Sequence, residues 1–197
     1  TVEHPDYSYL AARIKVNSLH KETPGFIIAT KNLYDDGLLR EEYYKKVMEN
    51  ADLIESVIDY DKDYTFDYFA LTTLIRAYLL KFDNKTIERP QDLWMRVTLT
   101  VTGNEFNLDK IKETYKSLST GMYTHATPTL FNSGLKMQQL SSCFLIGMED
   151  DSIEGIFNTI KDCALISKTA GGIGMHAHNI RGSGSRITVS YTHLTLP

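Results

Sequence analysis

The sequence predicts an α/β fold in which a mostly helical N-terminal part precedes a strand–helix–strand unit. Through about residue 122, apolar side chains recur every three or four positions, which is the period of an amphipathic helix. From residue 140 onward, a short apolar run, a helical pattern and a second short run follow one another. Two strands joined through a helix normally pair in parallel with a right-handed crossover. We therefore expect a parallel sheet to begin only towards the C-terminal end.

Composition is typical of a globular protein of one or two domains. The 197 residues are 42% hydrophobic and 23% charged, with a net charge of −4. This balance offers no basic field for nucleic acid or an anionic membrane surface, and no apolar run reaches the roughly 18 residues of a membrane span. The N-terminal residues lack the basic start and apolar core of a signal peptide. Two cysteines are too few for a disulfide framework. We expect a cytoplasmic protein that binds neither nucleic acid nor membrane.

Five helices are predicted in the N-terminal part from their apolar faces. Pro5 opens the first, Pro90 the fourth, and Asn107 or its neighbour starts the fifth. The faces expected to be buried are, in order, Tyr7, Leu10, Ala11 and Ile14; Tyr43, Val47, Ala51, Ile54 and Ile58; Tyr68, Leu71, Ile75 and Leu79; Trp94, Val97 and Val101; and Leu108, Ile111, Tyr115, Leu118 and Met122.

The segment from His125 to Gly134 is predicted to be extended and to end in a turn, because Pro128 lacks an N–H group. A strand-like run follows at 140–146, interrupted by two serines and Cys143. Polar groups inside a buried strand cost free energy unless they meet a partner or a ligand. Cys143 is therefore either a small packed side chain or part of a site.

A helix is predicted to start at Asp151, which forms a capping-box pattern with Glu154, and to run to about Lys168. The free N–H groups at its start could bind a ribose or phosphate, or could simply be capped. The face expected to be buried consists of Ile153, Ile156, Phe157, Ile160 and Ala164.

The glycine run 171–174 ends this helix and leads into the second strand. It is neither a Walker loop nor a dinucleotide fingerprint, and it serves either as a helix C-cap or as a close approach to a ligand. The loop from Arg181 to Arg186 is either a phosphate contact or solvated. His176 and His178 share one strand face, but no third ligand is evident and no metal site is expected.

Several segments of the chain occur together, in this order, in one family. They are His4–Tyr7 with Leu10–Arg13, Tyr60–Asp63, Glu88–Gln91, Thr124–Asn132, Leu140–Phe144, Asp150–Gly155 and Ser167–Gly174. On these segments the chain resembles the large (α) subunit of class I ribonucleotide reductase, from about Glu3 to Ile187. The last three segments are long and specific.

The resemblance implies a domain organisation. Residues 1–21 are expected to be the tail of an ATP-cone, 22–139 the helical N-terminal domain, and 140–187 the first strands and helix of a truncated ten-stranded α/β barrel. Residues 188–197 match nothing in the family, and we expect them not to form native structure. The family's thiyl-radical cysteine, the redox partner of Cys143, and the catalytic Asn and Glu are all expected outside this chain.

The resemblance also implies a reaction, the reduction of ribonucleoside diphosphates to 2′-deoxyribonucleotides by thiyl-radical and dithiol chemistry. Cys143 would be one member of the reducing cysteine pair. Thr127 and Ser142 would line the substrate phosphate and ribose, and Gly171 and Gly172 would bring backbone against the substrate.

Regulation and partners follow from the same resemblance. A deoxynucleoside triphosphate effector would bind at the interface of a homodimer, at a specificity site containing Asp151, Ser152, Ile153, Lys168 and Arg181. ATP and dNTPs would act as effectors, a small subunit would supply the radical, and thioredoxin or glutaredoxin would supply electrons. No cofactor is expected on this chain itself. The alternative is a non-catalytic helical module that binds nucleotides or a partner and has a structural Cys143.

Overall fold

A computed structural model of the chain describes residues 4–169 and 171–185. It divides between Ser141 and Ser142 into two compact units. The predictions made for Ile187 and for residues 188–197 lie outside the described residues.

The first unit is mostly helical, as the sequence predicts. Its helices are α1 (Tyr7–Glu22), α2 (Phe26–Asp35), α3 (Glu41–Glu49), α4 (Ala51–Val57), α5 (Tyr68–Thr73), α6 (Pro90–Val101), α7 (Leu108–Ser119) and α8 (Thr127–Asn132). A 3₁₀ helix (Tyr60–Thr65) precedes α5, and a π-helical turn (Leu74–Tyr78) follows it. Strands β1 (Lys81–Phe82) and β2 (Lys85–Thr86) form a short antiparallel hairpin.

Helix α6 forms the centre of this unit, and every residue from Pro90 to Leu99 is buried. Pro90 opens it, as predicted, and the Asp92 carboxylate accepts a hydrogen bond from Arg89 N at 2.9 Å. Helix α7 packs against α6 and starts at its predicted N-cap, Asn107, whose side chain accepts from Lys110 N at 3.0 Å. Of the predicted core positions, Trp94 and Val97 on α6 and Ile111, Tyr115 and Leu118 on α7 are buried, whereas Val101, the last residue of α6, is exposed.

A buried ion pair joins α6 to the segments around it. Arg96 is 2% exposed and binds Glu88, which is 3% exposed, through Nε–Oε1 at 2.6 Å and Nη2–Oε2 at 3.0 Å. The guanidinium also donates to the carbonyls of Ser133 (2.8 Å) and Leu130 (3.1 Å) at the end of α8. Glu88 Oε2 accepts from Leu80 N at 3.0 Å. Burial opposes the charge of Arg96, yet the Glu88 carboxylate raises the pKa of its guanidinium.

A second polar network connects α1 to the core. The fully buried Asp63 accepts from Gln91 Nε2 at 3.1 Å, and its other oxygen lies 2.7 Å from His20 Nε2. Tyr115 Oη donates to Gln91 Oε1 at 2.8 Å. Burial raises the pKa of Asp63, although the hydrogen bonds from His20 and Gln91 work in the opposite direction. Nearly every polar atom in this part of the core thus meets a partner.

The predicted buried face of α1 is wrong. Tyr7, Leu10 and Ile14 are 47%, 52% and 64% exposed, whereas Ala12 and Val16 are fully buried. Helix α1 packs against α5 and the 3₁₀ helix through these smaller side chains, which permit a close approach.

Three other predictions in this unit need correction. The segment at 127–132 is helical rather than extended. Pro128 fits in the first turn because N–H groups at that position have no partner within the helix, so the helix does not need the one that proline lacks. The predicted helix through Leu79 is a true α-helix only to Thr73 and continues as the π-helical turn. Met122 is 76% exposed, because α7 ends at Ser119 and the chain turns at Gly121, where φ is +72°.

The second unit is the predicted strand–helix–strand arrangement. It contains β3 (Cys143–Gly147), α9 (Ile153–Lys168) and β4 (Gly172–His176), and the two strands pair in parallel. A helical N-terminal part followed by the start of an α/β fold is therefore confirmed for the described residues.

The burial expected for α9 is wrong. Ile153, Phe157 and Ile160 are 76%, 63% and 50% exposed, and the helix buries Gly155 and Thr159 instead. A Cβ at Gly155 would lie 2.7 Å from Asp150 N, so only glycine permits this approach. Thr159 Oγ1 accepts from Glu149 N at 3.1 Å. Small side chains set this packing, and the large apolar ones remain outside it.

No helix within the described ranges is long and apolar enough to cross a membrane.

Candidate functional site

The first residue of β3 is Cys143, which is exposed and unoxidised. The parallel register places it opposite Gly172, and Gly172 N donates to the carbonyl of Ser142 at 2.8 Å. The Ser142 hydroxyl lies 3.7 Å from the Cys143 sulfur. Ser142, Cys143 and Gly172, which are 30 residues apart in sequence at most, thus form one surface at the start of both strands.

Gly172 keeps the backbone beside the thiol uncovered. A Cβ at this position would lie 3.3 Å from the Ser142 carbonyl oxygen and 3.7 Å from the Cys143 sulfur. Gly171 N donates to Ile166 O at 3.2 Å and so closes the end of α9. Gly171 therefore completes the helix end, as one interpretation of the glycine run predicts, whereas the close approach of a ligand at Gly172 stays a prediction.

Thr127 lies in the first unit, where it is the exposed first residue of α8. Its Oγ1 is 3.3 Å from the hydroxyl of Tyr78. The Tyr78 ring packs on Phe131, with ring centroids 5.0 Å apart. Sequence reasoning did not single out Tyr78, because nothing local signals a contact between residues 49 positions apart.

Asp151 and Arg181 meet in the second unit. Arg181 Nε donates to Asp151 Oδ2 at 2.6 Å, and Arg181 Nη2 donates to the Asp151 carbonyl at 2.9 Å. The backbone N of Arg181 lies 3.2 Å from the same carboxylate oxygen. The loop after β4 is thereby fixed against the segment that precedes α9.

Asp151 is not the helix cap that the sequence predicts. The N-cap is Ser152, whose hydroxyl accepts from Gly155 N at 3.0 Å, while the Asp151 carboxylate is engaged by Arg181. Ile153 follows as an exposed first helical residue. The Asp151 side chain is thus available for a role other than capping.

Lys168 lies at the opposite end of α9 from the other predicted effector contacts. It is the last of the helix's 16 residues, which places it roughly 22 Å along the axis from Ile153 at 1.5 Å per residue. One copy of the chain therefore brings Asp151, Ser152, Ile153 and Arg181 together but not Lys168.

The two histidines of the second strand region contact each other, with Nδ1 atoms 2.7 Å apart. Within residues 4–169 and 171–185, no three His, Cys, Asp or Glu side chains group closely enough to hold a metal ion.

Two family models match the chain. The model for the "ribonucleotide reductase, all-alpha domain" matches residues 64–138. The model for the "ribonucleotide reductase, barrel domain" matches residues 141–193. This match extends six residues beyond Ile187, so the expectation that the family resemblance ends there is wrong. The two matches adjoin near the boundary between the two compact units.

Curated relatives agree with these models. The chain is 47% identical to a protein of Saccharomyces cerevisiae named ribonucleoside-diphosphate reductase large chain 2, over 95% of this chain and 22% of the yeast protein. It is 47% identical to the large chain of Schizosaccharomyces pombe and 46% identical to the large subunit of Arabidopsis thaliana, over 95% of this chain and 24% of each relative. The chain therefore spans less than a quarter of the length of these relatives.

Proposed function

Because this chain belongs to the large-subunit family of ribonucleotide reductases, we propose that it forms part of an enzyme that reduces ribonucleoside diphosphates to 2′-deoxyribonucleotides. The observation that carries the proposal is the β3–β4 register. It presents the exposed Cys143 thiol beside the Ser142 hydroxyl and the bare backbone of Gly172.

The proposed chemistry needs a thiol that substrate can reach. Replacing the 2′-hydroxyl of a ribose by hydrogen consumes two electrons and two protons and releases water. Two thiols supply both when they join in a disulfide, so Cys143 would act with a second cysteine of the large subunit. The position of Cys143 at the first residue of β3, beside the Ser142 hydroxyl and opposite Gly172, supports this role.

Substrate binding is proposed for four residues. Hydroxyl groups and backbone N–H groups bind phosphate and ribose oxygens, and Ser142 and Thr127 supply hydroxyls. Gly171 and Gly172 allow a ligand to approach the main chain closely. A side chain at Gly172 would lie 3.3 Å from the Ser142 carbonyl oxygen and would cover this backbone, so the absence of a Cβ supports this use.

Regulation by a deoxynucleoside triphosphate or ATP is proposed at the start of α9. Asp151, Ser152, Ile153 and Arg181 lie together there, and a guanidinium near the N-terminus of a helix suits a triphosphate. Lys168 reaches such a site only from a second copy. The exposed apolar side chains of α9 support a homodimer formed along this helix.

The remaining partners belong to the whole enzyme. We propose that a small subunit generates the radical, that thioredoxin or glutaredoxin restores the reduced cysteine pair, and that the enzyme works in the cytoplasm. No radical cofactor is assigned to residues of this chain.

The proposal is tested by assaying a full-length large subunit that carries this sequence. With a small subunit, a dithiol reductant and a ribonucleoside diphosphate, we expect the 2′-deoxy product to accumulate over many turnovers. The 197-residue chain alone should form none, because one reactive cysteine cannot supply two electrons. A full-length protein that binds nucleotides yet never reduces them would favour a non-catalytic nucleotide-binding module.

Replacing Asp151 with alanine tests the effector site. In the full-length enzyme we expect effector dNTP affinity to fall about tenfold, as when one charge-assisted hydrogen bond is lost, because Arg181 loses the carboxylate that fixes it. Asp162→Ala, an exposed change on α9, is the matched control and should leave affinity unchanged. Titration calorimetry and a melting curve separate binding from folding. Unchanged affinity with a lowered melting temperature would make Asp151 purely structural.

A further inference from the structure

A π-helical turn interrupts the helix that precedes the β1–β2 hairpin. At its end, Leu79 N donates to Leu74 O at 2.9 Å, five residues back instead of four. A π-helical turn contains one residue more than a turn of α-helix. The side chains at its end are therefore rotated about the helix axis relative to those of α5. Turns of this kind are rare and occur frequently at functional sites. Tyr78 is the last residue of the turn.

The turn directs Tyr78 onto α8. Its hydroxyl lies 3.3 Å from Thr127 Oγ1 at the start of that helix. Its ring packs on Phe131, one helical turn further along the same face, with centroids 5.0 Å apart. The phenol is therefore held by ring packing at one point and meets the threonine hydroxyl at another.

The buried Glu88–Arg96 pair sets the distance between these two segments. Glu88 accepts from Leu80 N, two residues after Tyr78. Arg96 donates to Leu130 O and to Ser133 O at the end of α8. The π-helical turn and α8 thus both bind the same buried, fully paired ionic group, which holds the two segments beside each other.

We propose that Tyr78 is a positioning residue for substrate binding, which orients the Thr127 hydroxyl towards a phosphate or ribose oxygen of the ribonucleotide. A threonine hydroxyl has one donor hydrogen and two acceptor lone pairs. When the phenol donates to Thr127 Oγ1, the single hydrogen of the threonine is left for the substrate. Phosphate oxygens only accept, so this direction of the hydrogen bond is the productive one. This inference rests on the proposed role of Thr127 in substrate binding.

Tyr78→Phe tests the inference, since it removes the hydroxyl and keeps the ring on Phe131. In a full-length large subunit that carries this sequence, we expect KM for a ribonucleoside diphosphate to rise about two- to tenfold, the effect of one hydrogen bond, while kcat and the melting temperature stay unchanged. Tyr44→Phe is the matched control, because Tyr44 stacks on Tyr34 at 3.8 Å and should leave KM unchanged.

A second variant, Thr127→Val, keeps the inference separate from the proposed function. We expect Thr127→Val to raise KM, and Tyr78→Phe to add nothing in the double variant, because the phenol acts only through the threonine. Additive effects of the two changes, or a Tyr78→Phe enzyme with wild-type KM beside an impaired Thr127→Val enzyme, would overturn the positioning role. Wild-type KM in Thr127→Val would instead overturn the substrate role of Thr127 itself.

Discussion

Replacing Arg96 with methionine is expected to lower the free energy of unfolding of this chain by about 3–5 kcal/mol, the usual effect of removing one partner of a buried ion pair. Glu88 would be left buried without its counter-charge, and the carbonyls of Leu130 and Ser133 would lose their donor. Methionine preserves most of the side-chain length, so the loss would come mainly from charge and hydrogen bonding. Urea unfolding followed by circular dichroism measures the change.

The matched control is Arg13→Met, a change of the same chemistry at an exposed position of α1. It should alter the free energy of unfolding by less than about 0.5 kcal/mol, as is usual for surface substitutions. If the two variants unfolded at the same urea concentration, the Glu88–Arg96 pair would not be the organising contact of the first unit.

Replacing Cys143 with serine in a full-length large subunit should reduce multiple-turnover synthesis of deoxynucleotides to background. Serine has nearly the size of cysteine but cannot form a disulfide, so the two electrons have no source. Nucleotide binding should persist, because the neighbouring Ser142 hydroxyl and the Gly172 backbone are untouched. A coupled reductase assay and a binding titration on the same preparation check both parts.

Cys163→Ser is the matched control for this experiment. Cys163 is the other cysteine of the chain and lies half-buried within α9, away from the start of β3 where Cys143 lies. We expect turnover to be preserved. If Cys163→Ser lost turnover while Cys143→Ser kept it, the redox-active cysteine would be Cys163 and not Cys143.

Local signals predicted several elements well. Pro90 marks the start of α6, Asn107 caps α7, and the apolar period of the two helices predicts most of their buried apolar residues, although Val101 and Met122 are exposed. The strand–helix–strand order of the second unit was also predicted, because capping residues and glycines mark its boundaries. In these cases the physical cause is confined to a few neighbouring residues.

Helix faces were harder to predict where small residues make the contact. On α1 the large side chains Leu10 and Ile14 suggested the core face, yet Ala12 and Val16 are buried. On α9 the contact is made by Gly155 and Thr159. An apolar pattern identifies the most hydrophobic face of a helix. In these two helices the face that packs is instead the one whose small side chains let a neighbouring segment come closest.

The site depends on long-range geometry that sequence cannot supply. The alternation of side chains fixes a strand's faces but not which residue of β4 lies opposite Cys143, and a slip of one residue would replace Gly172 with another neighbour. The contact between Tyr78 and Thr127 depends on a π-helical turn and on a short helix that the sequence indicated as extended. The site residues themselves were suggested by family resemblance, and their roles stay predictions.

The most direct test is the redox state of Cys143 after a single turnover. A reduced full-length large subunit would be mixed with its small subunit and a ribonucleoside diphosphate without any external reductant, then quenched and alkylated. Mass spectrometry would report the fraction of Cys143 that resists alkylation. We predict that Cys143 enters a disulfide in step with deoxynucleotide formation and stays free when substrate is omitted. Formation of deoxynucleotide while Cys143 remains a free thiol would contradict the account.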